Sequence, residues 1–182
     1  FYRYSVDQYW QIPHFEKMLY DNGPLLAVYA QASIATGDPL FAYAANATAD
    51  WMLADMRDAN GGFYATRDAD SEGHEGLYYL WEPDEVRELL GDDYDVFARR
   101  FGLDKAANFE GRWHLTVHEQ VTDDETEAID RAKALLLARR AKRVAPGRDE
   151  KQLTAWNALA IRGLAIAGRA LDRPELIDAA AA

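Results

Sequence analysis

The sequence predicts a mainly α-helical chain built from helical hairpins, and three observations carry that expectation. Apolar residues recur at helical spacing over long stretches, as in Leu25, Val28, Tyr29, Ala32 and Ala35. Gly37-Asp38-Pro39 and Asp172-Arg173-Pro174 each join two such stretches by a stop and an immediate restart. Laying residues 22–47 over 157–182 matches Asn22 with Asn157 and Pro39 with Pro174. A repeated unit of helix, short turn and helix, with long loops between, points to a helical toroid or array, beside the plainer reading of an ordinary helical domain.

The elements follow in order. Phe15, Met18 and Leu19 give residues 14–21 a helical spacing, which Gly23-Pro24 is expected to break before a new helix starts at Pro24. Gly37 ends that helix, Asp38 caps the next and Pro39 opens it, with Leu40, Ala44, Ala47, Trp51 and Met52 on its apolar face. Asn60-Gly61-Gly62 ends the hairpin. The aromatic runs at 62–65 and 77–81 then read as two short strands flanking a polar segment. Short helices are expected at 82–90 and 94–100, an extended stretch at 108–118, and a long helix at 123–142 with its acids first and its bases last. A Pro/Gly loop at 144–150 leads to a helix at 153–170 and a restart at Pro174.

Composition excludes several classes. Lys plus Arg number 20 against 31 Asp plus Glu, a net charge of -11, which repels phosphate backbones and argues against a nucleic-acid partner. The basic run Arg139, Arg140, Lys142 and Arg143 falls at a helix C-terminus, where cations offset the helix dipole. With no cysteine, this segment holds no disulfide, thiolate nucleophile or cysteine zinc site. No apolar run approaches a membrane span and no signal peptide is visible, so the expectation is a cytoplasmic location without membrane contact. The chain opens without Met and stops within an Ala-rich helical run, so both ends are expected to be cut.

Three polar clusters could carry chemistry. In residues 13–22, His14 offers an imidazole for proton transfer, Glu16 and Lys17 can pair, and Asp21-Asn22 lies a helical turn on. The same residues also read as an ordinary helix start with solvated charges. In residues 67–76, the carboxylates Asp68, Asp70, Glu72 and Glu75 repel one another unless a cation, Arg67 or protons balance them. Asp68-x-Asp70-x-Glu72-Gly73 begins like a calcium loop, but Tyr79 stands where the bidentate Glu belongs, so an EF-hand is rejected. Calcium in another geometry, or a solvated loop, stays open. The flanking Phe63, Tyr64, Tyr78, Tyr79 and Trp81 offer flat faces for a sugar ring, beside acceptors for its hydroxyls. In the third set, Asn108-Phe109-Glu110-Gly111 with residues 151–157, Thr154, Trp156 and Asn157 face a central cavity or serve a helix cap and the core. His114-x-x-x-His118 has helical metal spacing in a stretch that reads extended, so ligation is not expected.

The blocks Tyr2-Arg3-Tyr4-Ser5-Val6-Asp7 and Trp10-Gln11-Ile12-Pro13-His14-Phe15-Glu16-Lys17-Met18-Leu19-Tyr20-Asp21-Asn22 resemble the family of spermatogenesis-associated protein 20 and its bacterial thioredoxin-domain-containing relatives. Gly61-Gly62-Phe63-Tyr64, Asp68-Ala69-Asp70-Ser71-Glu72-Gly73, Tyr79-Leu80-Trp81, Asn108-Phe109-Glu110-Gly111 and Leu153-Thr154-Ala155-Trp156-Asn157 extend the resemblance in order. It implies a parent with an N-terminal thioredoxin-like domain and a six-hairpin (α/α) toroid, similar to helical-barrel glycosidases and N-acylglucosamine 2-epimerases. Residues 1–182 would then be a fragment of one partial (α/α)6 toroid, six-hairpin glycosidase-like with a short β-hairpin insertion. The remaining hairpins and the thioredoxin-like domain, its partner within the parent chain, would lie elsewhere. Asn22-Gly23-Pro24 departs from the smoother helix of relatives.

The resulting expectation is a carbohydrate-active isomerase or hydrolase whose ligand is a sugar. Candidate catalytic residues are His14, Glu16, Asp68, Asp70 and Glu75, and candidate substrate-binding residues are Tyr20, Asp21, Tyr64, Trp81, Trp156 and Asn157. Hydrolysis needs a carboxyl pair at roughly 5–9.5 Å, whereas epimerisation needs proton transfer beside a carbonyl, for which His14 is the best acid or base. Neither implies a metal or cofactor. The alternative is a non-catalytic scaffold or interaction module that keeps the toroid fold.

Overall fold

A computed structural model describes all 182 residues. In chain order the elements are β1 (Lys17–Met18), α1 (Leu19–Thr36), α2 (Pro39–Trp51) continued by a π-helical turn (Met52–Met56), β2 (Thr66–Arg67), β3 (Asp70–Ser71) and β4 (His74–Glu75). There follow α3 (Pro83–Leu90), a 3-10 turn (Gly91–Asp93), α4 (Tyr94–Phe101), α5 (Asp123–Arg140), β5 (Arg148–Asp149), α6 (Thr154–Ala170) and α7 (Pro174–Ala181). The chain is mainly helical, and it forms two compact units. One comprises Phe1–Arg3, Phe15–Ala69 and Gly147–Ala182, the other Tyr4–His14 and Asp70–Pro146.

In the first unit, α1 and α2 form the expected hairpin. Gly37 takes the left-handed conformation (φ 70°) and its amide reaches the Ser33 carbonyl at 2.9 Å. The Asp38 carboxylate then caps α2 by accepting from the Leu40 amide at 2.9 Å, with Pro39 in the first turn. The second restart uses different chemistry, since Asp172 (φ 55°) occupies the left-handed position and Arg173 precedes Pro174. Helix α1 packs chiefly on α6, and α6 on α7. Leu19, Leu26, Ala49, Met52, Phe63, Leu164 and Leu176 fill the core.

Two expectations fail here. The Gly23-Pro24 break is absent, and α1 runs unbroken from Leu19 to Thr36 with Pro24 inside it. Pro24 forfeits one helical amide, but the neighbouring residues are committed to tertiary packing. A Cβ on Gly23 would stand 2.9 Å from the Ala160 Cα, so the missing side chain is what lets α6 approach. Asn22 is fully buried, and its side-chain amide donates to the carbonyls of Met18 at 2.9 Å and Phe1 at 3.1 Å. Residues 14–18 are not helical either. Lys17 and Met18 pair with Arg67 and Thr66, whose other edge pairs with Arg148 and Asp149, giving an antiparallel sheet in the order β1-β2-β5.

In the second unit, α3, α4 and α5 enclose Trp81, Val86, Phe97, Ile129, Ala132 and Leu136. Helix α5 starts with a capping box between Thr122 and Glu125 and ends on Arg139 and Arg140. The expected strands at 62–65 and 77–81 are not formed. The two-stranded hairpin lies inside the acidic segment, with Asp70 opposite Glu75 and Ser71 opposite His74. Its tip is Glu72-Gly73, both at positive φ (54° and 80°), as two-residue hairpin loops require. The aromatic runs are buried instead: Phe63, Tyr79, Leu80 and Trp81 are each at most 6% exposed. Their apolar area is worth more in the cores than on a two-strand ribbon. No helix is long and apolar enough to cross a membrane.

Candidate functional site

His14 is positioned by the loop that precedes it. The Asp7 carboxylate gathers the amides of Tyr9, Gln11 and Ile12 at 2.7, 2.9 and 2.5 Å. These backbone hydrogen bonds, that of Ile12 foremost, hold Asp7 below the usual carboxylate range. The loop closes with the His14 amide donating to the Tyr4 carbonyl at 2.8 Å, and the Tyr4 ring stacks on the imidazole at 4.8 Å. His14 Nδ1 lies 2.7 Å from Glu75 Oε1, although the two residues are 61 apart in sequence. Glu75 is presented by β4, the returning strand of the acidic hairpin.

Glu75 also lines a cavity of about 520 Å³ shared with Glu72, His74, Leu77, Leu80, Glu110 and Arg112. A second cavity of about 400 Å³ adjoins it along the same hairpin. The hairpin spreads these closely spaced carboxylates: Glu72 and Glu75 reach the cavity, while Asp70 is exposed on the strand opposite Glu75. No group of three or more His, Asp or Glu side chains has the arrangement to hold a metal ion.

In the first unit, a different set of expected residues gathers around Arg3. Its guanidinium contacts Glu16 at 3.4 Å, the Tyr20 hydroxyl at 2.6 Å and Asp21 at 3.9 Å. The Tyr20 ring rests on Trp156 with centroids 4.9 Å apart. Asp21 Oδ2 is buried and accepts no hydrogen bond. Burial first, with the Glu16 charge adding to it, raises the Asp21 carboxyl above its ordinary value, against the pull of Arg3. A raised folded value favours the protonated form, so the stability Asp21 contributes is fullest in acid and declines as pH rises through that value. Asp21→Asn is accordingly expected to raise the melting temperature at pH 7, with the gain shrinking towards pH 3. An unchanged or lower melting temperature at pH 7 would show that the orphan oxygen carries no cost.

A further centre in this unit went unread in the sequence. Arg67 holds Asp55 through two hydrogen bonds, Nε to Oδ2 at 3.0 Å and Nη2 to Oδ1, while the Trp51 indole donates to Oδ2 at 2.9 Å. The Lys17 ammonium stands over the rings of Tyr2 and Trp51 at 4.9 and 5.4 Å. The only hint was a carboxylate at 55 four residues after a Trp within a helical stretch, a spacing that puts both on one face.

The remaining candidates make contacts of their own, and Trp81 also lines the second cavity. The Asn157 side chain receives the Phe63 amide at 2.7 Å and donates to the Phe63 carbonyl at 2.9 Å, clamping the loop after Gly62. Tyr64 donates to Asp58 at 2.5 Å, and Arg148 lies over its ring at 4.2 Å. Trp81 is 2% exposed, bridges Trp113 through backbone hydrogen bonds, and carries Arg143 on its ring at 4.0 Å. Asp68 is exposed, with its amide on the Gly147 carbonyl at 2.8 Å. Asn108 clamps the backbone of His114 at 2.8 Å on both sides, and burial pushes the His114 imidazole down to about 4.

No family model matches the chain. It is 33% identical, over 99% of its length, to spermatogenesis-associated protein 20 of Rattus norvegicus, and 31% identical over 98% to that of Homo sapiens. An uncharacterized protein of Caenorhabditis elegans is 34% identical over 99% of the chain. The chain spans 27% of the two mammalian proteins and 30% of the nematode one.

Proposed function

Because the chain belongs to the spermatogenesis-associated protein 20 family, we propose that it is part of a carbohydrate-active (α/α) toroid in which His14 and Glu75 form the acid/base pair. The two short-turn helix pairs, α1–α2 and α6–α7, support the toroid. So do the apolar side chains left outward on α1 and α2: Val28, Ile34, Leu40 and Tyr43 are 57, 67, 63 and 64% exposed. Further hairpins of the same polypeptide would cover them.

The observation that carries the reading is the 2.7 Å contact between His14 and Glu75, the second of which lines a polar cavity. An ionised Glu75 draws the imidazole proton to Nδ1, which leaves Nε2 as the atom that takes or gives a proton. The assignment of that tautomer rests on the hydrogen bond. Once His14 is charged, the same carboxylate stabilises the imidazolium. Glu72 and Glu110 add acceptors for hydroxyl groups, and Leu77 and Leu80 give the cavity an apolar floor.

The test is calorimetric titration of a full-length family protein carrying this chain with D-glucose, D-mannose, D-galactose and N-acetylglucosamine. Saturable binding is expected for at least one sugar, weakened about 10-fold by His14→Ala, equivalent to about 1.4 kcal/mol. If no sugar saturates, and Glu75→Gln only lowers the melting temperature, the pair is a structural stitch and the scaffold reading replaces this one.

A further inference from the structure

The two cavities of the second unit share four residues, Glu72, Leu77, Leu80 and Arg112. A residue that lines both stands between them or along a common wall, so the two cavities are neighbours, together a cleft of two compartments. At about 520 and 400 Å³, each falls within the range in which small-molecule sites are found. We propose that this cleft binds a neutral oligosaccharide of at least two units, seated across both cavities, rather than a free monosaccharide. The inference rests on the carbohydrate reading above and names its substrate class.

Charge and donor chemistry argue for this occupant. The cavity beside His14 offers mainly acceptors, the carboxylates of Glu72, Glu75 and Glu110. The adjoining cavity offers donors from Lys142 and Arg143. Arg143 is fixed in the wall, its Nη1 donating to the carbonyls of Tyr78 and Leu80 at 3.0 and 2.6 Å and its Nη2 to Glu85 at 2.9 Å, which leaves Nε and one Nη2 hydrogen for a ligand. Arg112, on the shared wall, pairs with Glu82 at 3.4 Å. A polyanion is repelled at the first end, and at the second Glu72, Glu82 and Glu85 offset Arg112, Lys142 and Arg143, so that end favours neither sign. A chain of hydroxyls, each both donor and acceptor, suits both ends. Glu75 borders only the acceptor cavity, so the acid/base pair addresses the unit bound at that end.

The experiment compares glucose with its α-1,4- and β-1,4-linked oligomers of two to four units, titrated into a full-length family protein carrying this chain. An oligomer of one series is expected to bind at least about 10-fold more tightly than glucose, the margin that separates two occupied subsites from one. Lys142→Ala removes part of that advantage. Lys142 is exposed and bonds through its backbone amide to the Arg139 carbonyl at 3.2 Å, a bond that alanine keeps. Glu110→Gln weakens glucose and oligomer alike. Equal affinity for glucose and its oligomers, or oligomer binding indifferent to Lys142→Ala, overturns the inference and leaves the carbohydrate reading intact. A preference for glucosamine or uronate oligomers over the neutral ones overturns it as well. If neither glucose nor any oligomer saturates while another of the monosaccharides does, the inference falls alone; if no sugar of either panel saturates, both fall.

Discussion

Gly163→Ala is expected to destabilise the first unit by about 2–3 kcal/mol, read as a lower urea midpoint at unchanged slope. The direction runs against helix propensity. Alanine in a helix interior ordinarily gains about 1 kcal/mol over glycine. At this site a Cβ would stand 3.0 Å from the Gly23 carbonyl carbon and closer still to its oxygen. The obstacle is backbone, so no rotamer change relieves it. Gly23 cannot retreat along α1 without opening the crossing from both sides, since its own Cβ position is 2.9 Å from the Ala160 backbone. Leu19, Leu26, Ala160 and Leu164, all 0% exposed, surround the crossing, and pushing the helices apart would strip their contacts. A variant as stable as the parent would mean that α1 and α6 do not touch at this point.

That crossing also shows what could be read from the sequence and what could not. Gly37-Asp38-Pro39 was legible because its effect is local: a left-handed residue, a capping carboxylate and a ring that needs no donor act within one turn. Asn22-Gly23-Pro24 uses similar residue types and was misread as a break, because its glycine serves a helix more than 130 residues away. The hairpin was misplaced for a related reason. Aromatic runs signal strands when a ribbon is the way to bury them, but here Trp81 and Phe63 enter cores and the strands fall on the Glu72-Gly73 turn. His14 and Glu75 were each legible as reactive types, while their contact depends on the Tyr4–His14 loop meeting β4. Asp55 and Arg67 are ordinary charges in the sequence, and only the sheet that seats Arg67 beside Lys17 makes them a centre.

Arg67→Met is expected to cost about 2–3 kcal/mol at pH 7, somewhat below the roughly 3–5 kcal/mol typical of breaking a fully buried pair. The discount follows from exposure, since the Arg67 and Asp55 side chains are 15% and 30% exposed. Methionine keeps the packed stem, so the loss reports the polar contacts of the guanidinium, among them the two hydrogen bonds to Asp55. The pH dependence separates this from a packing defect. Burial alone would raise the Asp55 carboxyl, but the hydrogen bond and charge of Arg67, aided by Trp51 and Lys17, outweigh it and hold Asp55 below its ordinary 3.8. A depressed folded value contributes stability that is present above the unfolded value and lost as pH falls through the folded one. The gap between parent and Arg67→Met should therefore hold steady from pH 7 to about 5 and narrow below about 4, as the Asp21→Asn gap does with the opposite sign. Asp55→Asn should reproduce much of the neutral-pH loss, since the amide keeps an acceptor for Trp51 but gives up the charge that Arg67 faces. A gap that persists undiminished at pH 3 would assign the loss to packing around Trp51 rather than to the ion pair.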